Sequence, residues 1–177
     1  LEVAVKTLLL MRHAKSSWKD NDIKDFDRPL NKRGEIDAPL MGKLLHEQEL
    51  VPQRILSSPA LRARMTAEAI VKEMDYSGEV EYFDSFYLAE PSVYFDMVRT
   101  LPDAIERVLL IGHNPGLEAV LQVLTKQVVP LPTAALAHIA LPLHQWSDLN
   151  LEVDGELVQL WRPRDLKKQA KEKHEDE

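Results

Sequence analysis

The sequence predicts an α/β fold, a three-layer sandwich with a mostly parallel central sheet and helices on both faces. Three observations predict it. Short apolar runs recur along the chain, each too short for a helix and each ending at a polar or turn-forming residue. Between them lie longer segments with helical spacing of apolar side chains. The two kinds of segment alternate, with no internal repeat and no low-complexity linker, and such alternation calls for crossover helices over a parallel sheet.

Taken in order, Thr7–Met11 reads as a first buried strand, since strands covered on both faces lose the polar alternation. A polar loop around Asp27–Gly34 leads into a helix over Lys32–Glu49. Its apolar stripe is Leu40, Leu44 and Leu45, and Pro39 should kink it or mark its start. Arg54–Ser57 is the next strand. It breaks at Ser58-Pro59 into a helix over Ala60–Met74, with Ser58 suited to the cap. Val80–Phe83 follows as a strand, then a helix over Ser92–Leu101 with Ser92 as cap. Val108–Ile111 is a strand, Leu117–Leu124 a helix, and Leu136–Leu141 and Leu157–Trp161 are the last strands. From Arg162 the chain turns strongly charged. Residues 1–165 are expected to form one domain, with residues 166–177 a charged tail, its last part a solvated helix or frayed end.

Composition sets bounds. A chain of 177 residues is one domain by length, long enough to bury about 70% of its extended surface. With 45% hydrophobic and 29% charged residues it is ordinary globular material. Zero cysteines excludes disulfides, thiolate nucleophiles and Cys-ligated metals, and fits a reducing cytoplasm. A net charge of −7 argues against nucleic acid as a partner. No apolar stretch approaches ~18 residues and no signal-like segment opens the chain, so membrane insertion and secretion are not expected.

The candidate chemistry sits at strand ends, where open α/β sheets place their ligands. Arg12-His13 directly follows the first strand, and a cation beside an imidazole suits an anionic substrate and a nitrogen nucleophile. Arg62 falls in the first turn of the helix after the second strand, where the dipole disfavours a cation unless an anion offsets it. Val108–Ile111 ends in Gly112-His113-Asn114-Pro115-Gly116, the same pattern of strand then histidine, with Gly112 permitting a tight turn or a close backbone approach. His46, His138, His144 and His174 have no such surroundings and read as structural or exposed.

These blocks, in this order, resemble the histidine phosphatase superfamily with its phosphoglycerate mutase-like fold, and more narrowly the SixA-type phosphohistidine phosphatases. The match lies in Arg-His-Ala-Lys-Ser-Ser-Trp from Arg12, Arg-Pro-Leu-Asn-Lys-Arg-Gly from Arg28, Ser-Ser-Pro-Ala-Leu-Arg-Ala from Ser57 and Gly-His-Asn-Pro-Gly from Gly112. It extends over roughly residues 7–165. The resemblance implies a covalent phosphohistidine on His13 that water then hydrolyses.

Phosphoryl chemistry gives the same four residues physical roles. The phosphoryl group arrives with about two negative charges, and at an effective dielectric of ~20 one unit charge at ~4 Å is worth about 4 kcal/mol. Arg12 and Arg62 can each grip two oxygens, and His113 can donate to a third. His13 is then the nucleophile, attacking from one ring nitrogen while a hydrogen bond to the other sets the tautomer. No metal and no cofactor are expected.

The leaving group decides the substrate. An alkoxide needs a proton donor, and the wider superfamily often places a Glu between the helix arginine and the second histidine, so Glu90 is a candidate acid. An imidazole can depart neutral once protonated, its conjugate acid having a pKa near ~6.5. SixA-type enzymes manage without the acid, which favours phosphohistidine in a protein. A phosphatase for small phosphomonoesters using Glu90 is the alternative, and an inactive phosphate-binding module is a third, although a binder has no use for a nucleophilic His13. Lys15 and Lys19 could widen the positive pocket, with Lys19 a candidate substrate contact where mutase-like relatives carry Asn. Thr133 falls near the pocket by family position. The expected partners are a phosphorylated protein or a small phosphorylated substrate, with neither nucleic acid nor membrane involved.

Overall fold

The computed structural model describes residues 4–175; Leu1 and the tail residues Asp176 and Glu177 lie outside the described residues. Six strands form one sheet: β1 (Lys6–Arg12), β2 (Arg54–Ser57), β3 (Val80–Tyr82), β4 (Arg107–Gly112), β5 (Leu136–Leu141) and β6 (Glu156–Trp161). Their spatial order is β3-β2-β4-β1-β5-β6. The first four run parallel, while β5 is antiparallel to β1 and β6 antiparallel to β5. The sheet is therefore mixed, with one reversed strand near one edge.

Five helices cover it: α1 (Lys32–Glu47), α2 (Leu61–Met74), α3 (Pro91–Arg99), α4 (Gly116–Thr125) and α5 (Pro163–Glu175). Successive residues of β1 point to opposite faces. Leu9 and Met11 pack with Met41, Leu45, Ala67 and Ile70 of α1 and α2. Leu8 and Leu10 pack with Phe95 and Val98 of α3 and Leu117 and Leu121 of α4. Two cores on one strand explain why it reads as an unbroken apolar run.

Three local expectations are corrected. Ser58 does not cap α2: the cap position is Ala60, without a side-chain bond, and Ser58 is drawn into the site described below. Ser92 does not cap α3, because Pro91 is already its first residue and Glu90 precedes it. Helix α1 continues through Pro39 from an amino end capped by Asn31, whose side chain accepts from Gly34 N. Gly34 is required there because the backbone carbonyl of Lys15 occupies the place a Cβ would take. That close approach brings the loop after β1 down onto α1.

The charged carboxyl end is a helix, α5, laid against α1. Lys167 Nζ is 2.5 Å from Asp37, whose side chain is fully buried in α1, and Leu166 packs on the core beneath. No helix among the described residues is long and apolar enough to cross a membrane.

Candidate active site

Parallel register brings the site together. β2, β4 and β1 are neighbours, with Ser57 beside Ile111 and Gly112 beside Arg12. The next residue of each strand, Ser58, His113 and His13, therefore emerges at the same sheet edge. Two further backbone bonds hold this alignment, from His13 N to Gly112 O at 3.1 Å and from Ser58 N to Ile111 O at 2.9 Å. Arg62, one residue into α2, reaches across them. Gly112 serves a close approach here, since the Tyr94 hydroxyl packs where its Cβ would stand. Its φ is not positive.

The His13 ring is buried, and its Nδ1 lies 2.7 Å from the Ala14 carbonyl oxygen. A carbonyl only accepts, so Nδ1 carries the hydrogen and the Nε2 lone pair faces the pocket. Arg62 Nε stands 3.4 Å from that Nε2. Burial, with repulsion from Arg62 and Arg12 outweighing the Ala14 bond, lowers the His13 pKa to about 4. The ring is thus neutral, as a nucleophile must be.

His113 faces His13 with ring centroids 5.1 Å apart. Its Nδ1 is 3.4 Å from Arg62 Nη2 and its Nε2 is 2.7 Å from Ser58 Oγ. Burial and the neighbouring His13 push its pKa down to about 3. A hydroxyl can accept from or donate to Nε2, so Ser58 lets His113 present either a lone pair or an N–H toward the pocket. Donation to a phosphoryl oxygen uses the second form.

Arg62 is 3% exposed, which no cation tolerates without partners. Its Nη1 donates to Asp25 O at 2.7 Å and its Nη2 to Asp25 Oδ2 at 3.1 Å. Burial works to raise the Asp25 pKa, but the hydrogen bond from the Tyr87 hydroxyl and the charge of Arg62 outweigh it and hold the group below its ordinary range. Thr66 ties the helix in place, donating to Arg62 O and accepting from Ala14 N. Arg12 Nη1 donates to Leu131 O at 3.1 Å, while its Nε is buried without a partner.

The structure thus brings together Arg12, His13, Arg62 and His113 around a cavity of about 180 Å³, with Lys15 and Thr133 in its wall. Trp18 and Leu88 form an exposed rim, and the Arg28 guanidinium lies 3.3 Å over the Trp18 ring. Lys19 and Glu90 are not brought in. Lys19 is exposed beyond the rim, with its backbone N–H on Ser17 Oγ. Glu90 is exposed at the start of α3 and makes no capping bond. Ser58, Thr66, Asp25 and Tyr87 are site residues that the sequence reading missed. Ser58 and Thr66 lie within the block around Arg62, whereas Asp25 and Tyr87 arrive from separate loops with no local signal. Among the described residues, no group of three or more His, Asp or Glu side chains is placed to hold a metal.

The fold and the cluster at its strand ends define a phosphoglycerate mutase-like α/β protein built to hold an anion. The chain belongs to the histidine phosphatase superfamily (branch 1), whose family model matches residues 8–86. It is a phosphatase of that superfamily and SixA-like in fold. The structure of SixA from Agrobacterium tumefaciens, assigned as a phosphohistidine phosphatase, superposes with a TM-score of 0.77 at 27% identity, covering 89% of this chain and 98% of that one. An uncharacterised chloroplastic protein of Arabidopsis thaliana is 33% identical over 153 residues, 81% of this chain and 70% of its own length. An uncharacterised protein of Mycobacterium leprae is 30% identical over 167 residues, 87% of this chain and 100% of its own length.

Proposed function

We propose that the chain removes phosphate from phosphohistidine in a protein, through a covalent phosphohistidine on His13. His13 Nε2 attacks phosphorus while the substrate's P–N bond breaks, and the leaving imidazole departs neutral with a proton it already holds. Water then attacks phosphorus, the P–Nε2 bond breaks, and phosphate leaves. Arg12 and Arg62 neutralise the phosphoryl oxygens, and His113 donates to one of them as the geometry turns trigonal bipyramidal. Asp25, which holds Arg62, is displaced from it by the incoming oxygens.

The observation that carries this substrate choice is the state of the nearby carboxyl groups. Asp25, the carboxyl bonded to Arg62, is kept ionised and accepts hydrogen bonds, so it has no proton to give. Glu90 stands exposed at the start of α3. Such a site suits a leaving group that needs no donor, and imidazole is one. The small cavity with its exposed Trp18 and Leu88 rim also suits a phosphorylated side chain on a larger molecule, and the likeness to a chain assigned as a phosphohistidine phosphatase adds support. An inactive binding module is disfavoured by His13, whose buried neutral ring brings no charge to anion binding.

Turnover on a phosphohistidine protein, a free phosphoramidate and a panel of phosphomonoesters tests the proposal. We expect kcat/KM on phosphohistidine to exceed that on every phosphomonoester. Faster phosphomonoester hydrolysis would establish the alternative, a small-molecule phosphatase.

A further inference from the structure

Beside the catalytic pocket lies a second, larger cavity of about 400 Å³ that shares Arg12 and Thr133 with it. Four arginines line it: Arg12 at the end of β1, Arg33 in the first turn of α1, and Arg162 and Arg164 at the junction of β6 and α5. Its one carboxylate, Glu118, accepts at Oε1 from Asn114 Nδ2 and from Leu131 N at 2.8 Å each, so four guanidinium charges face one carboxylate there. This concentration of cations stands in a chain of net charge −7.

The arginines keep their anion-gripping ends free. Asp37 meets Arg33 at Nε, and Asp165 meets both Arg162 and Arg164 at Nε, at 3.3 to 3.7 Å. The Arg33 contact is a hydrogen bond and the two to Asp165 are ion pairs alone, and the terminal amino groups of all three make no hydrogen bond among the described residues. A guanidinium presented this way takes a carboxylate or a phosphate. Pro130, Pro132 and Pro163 form rigid stretches of the wall, and the first turn of α5 adds the positive end of its dipole. The Lys167–Asp37 pair holds α5, and with it Arg162 and Arg164, against α1.

We propose that this cavity receives a second anionic group of the substrate, an acidic side chain close to the phosphohistidine on the same protein, and so selects phosphohistidines with acidic surroundings. The inference rests on the phosphohistidine assignment above. Because the two cavities meet at Arg12, the second anion binds beside the transferred phosphoryl group and contributes affinity to it.

The test uses two phosphohistidine peptides that differ only in flanking Glu or Gln, with the whole chain and its Arg33→Gln/Arg164→Gln variant. In low salt, KM for the Glu peptide should be lower by about tenfold, a preference that fades as salt rises. The variant should raise KM for the Glu peptide by about the same factor while kcat and the Gln peptide stay unchanged. Equal effects on both peptides, or none, would overturn the inference. If neither peptide is hydrolysed while phosphomonoesters are, the phosphohistidine assignment has failed. The variant is then compared on phosphoserine peptides with the same Glu and Gln flanks and on a small bisphosphate and its monophosphate. Lost preference for the Glu flank upholds an acidic-peptide cavity independently of the leaving group. Lost preference for the bisphosphate alone, or for neither pair, overturns it.

Discussion

The two positive cavities of this chain differ in how their charge is held. In the pocket around His13, Arg62 and the two histidines are buried and held by short-range partners, the histidines by Ala14 and Ser58 just past the strand ends and Arg62 by Asp25 from a loop. In the outer cavity, Arg33 and Arg164 keep side-chain exposures of 58% and 80% and lean on acids that are themselves on helices. Buried charge acts in a weakly screened setting and does not reorganise during reaction, so it works on the barrier. Exposed charge is screened by salt and works on affinity. The proposed division gives one pocket the chemistry and the other the choice of what reaches it.

The largest separation should come from Arg62→Ala, which should lower kcat by about 10²–10³-fold with a smaller effect on KM, because the contact matters most in flight. Steady-state kinetics checks it, and a change confined to KM would place Arg62 with the outer arginines.

Acid should distinguish the regions next. An unfolded histidine gains its proton near 6.5, whereas His13 and His113 in the folded chain stay neutral down to about 4 and about 3. Their folded values are depressed, so the stability they allow is fully present above 6.5 and lost as pH falls through the interval below it. At pH 5 the loss should be about 2 kcal/mol per ring. Denaturant midpoints at pH 7 and pH 5 would show it, together with two imidazole NMR signals that do not titrate between pH 5 and pH 8. Rings titrating near 6.5 would mean that the pocket is wetter than its geometry indicates.

Ser58→Ala should cost about tenfold in kcat, the value of the one hydrogen bond that Ser58 shares with His113 Nε2. KM should stay nearly constant. The smallest effect is expected for Glu90→Gln, below about tenfold on phosphohistidine. A loss of ~10²–10⁴-fold confined to phosphomonoesters would return Glu90 to the role of general acid.

Much of this was legible in the sequence, for identifiable reasons. Strands covered on both faces lose polar alternation, so β1 and β4 stand out as apolar runs, and the residues just after them are where a parallel sheet collects its polar groups. That is why Arg12, His13 and His113 stand out in the sequence, and Arg62 with them at a helix start. The reversal of β5 was hidden, since hydrophobic pattern carries no strand direction. Ser58 was hidden by its neighbour, because Ser before Pro reads as a helix cap until His113 is placed 2.7 Å away. Asp25 and Tyr87 meet Arg62 only through the folding of separate loops. The outer cavity was least visible of all. The charged run after Arg162 reads as solvated until Lys167 finds Asp37, 130 residues earlier in the chain and buried within α1.

His13 Nε2 is proposed to take the phosphoryl group. Rapid quenching during turnover of a radiolabelled phosphohistidine protein, followed by peptide mapping, locates that group. An acid-labile, base-stable label is expected on His13 in the wild type, and in His13→Ala neither label nor turnover while the fold is retained. Label on another residue, or substantial turnover surviving in His13→Ala, would contradict it.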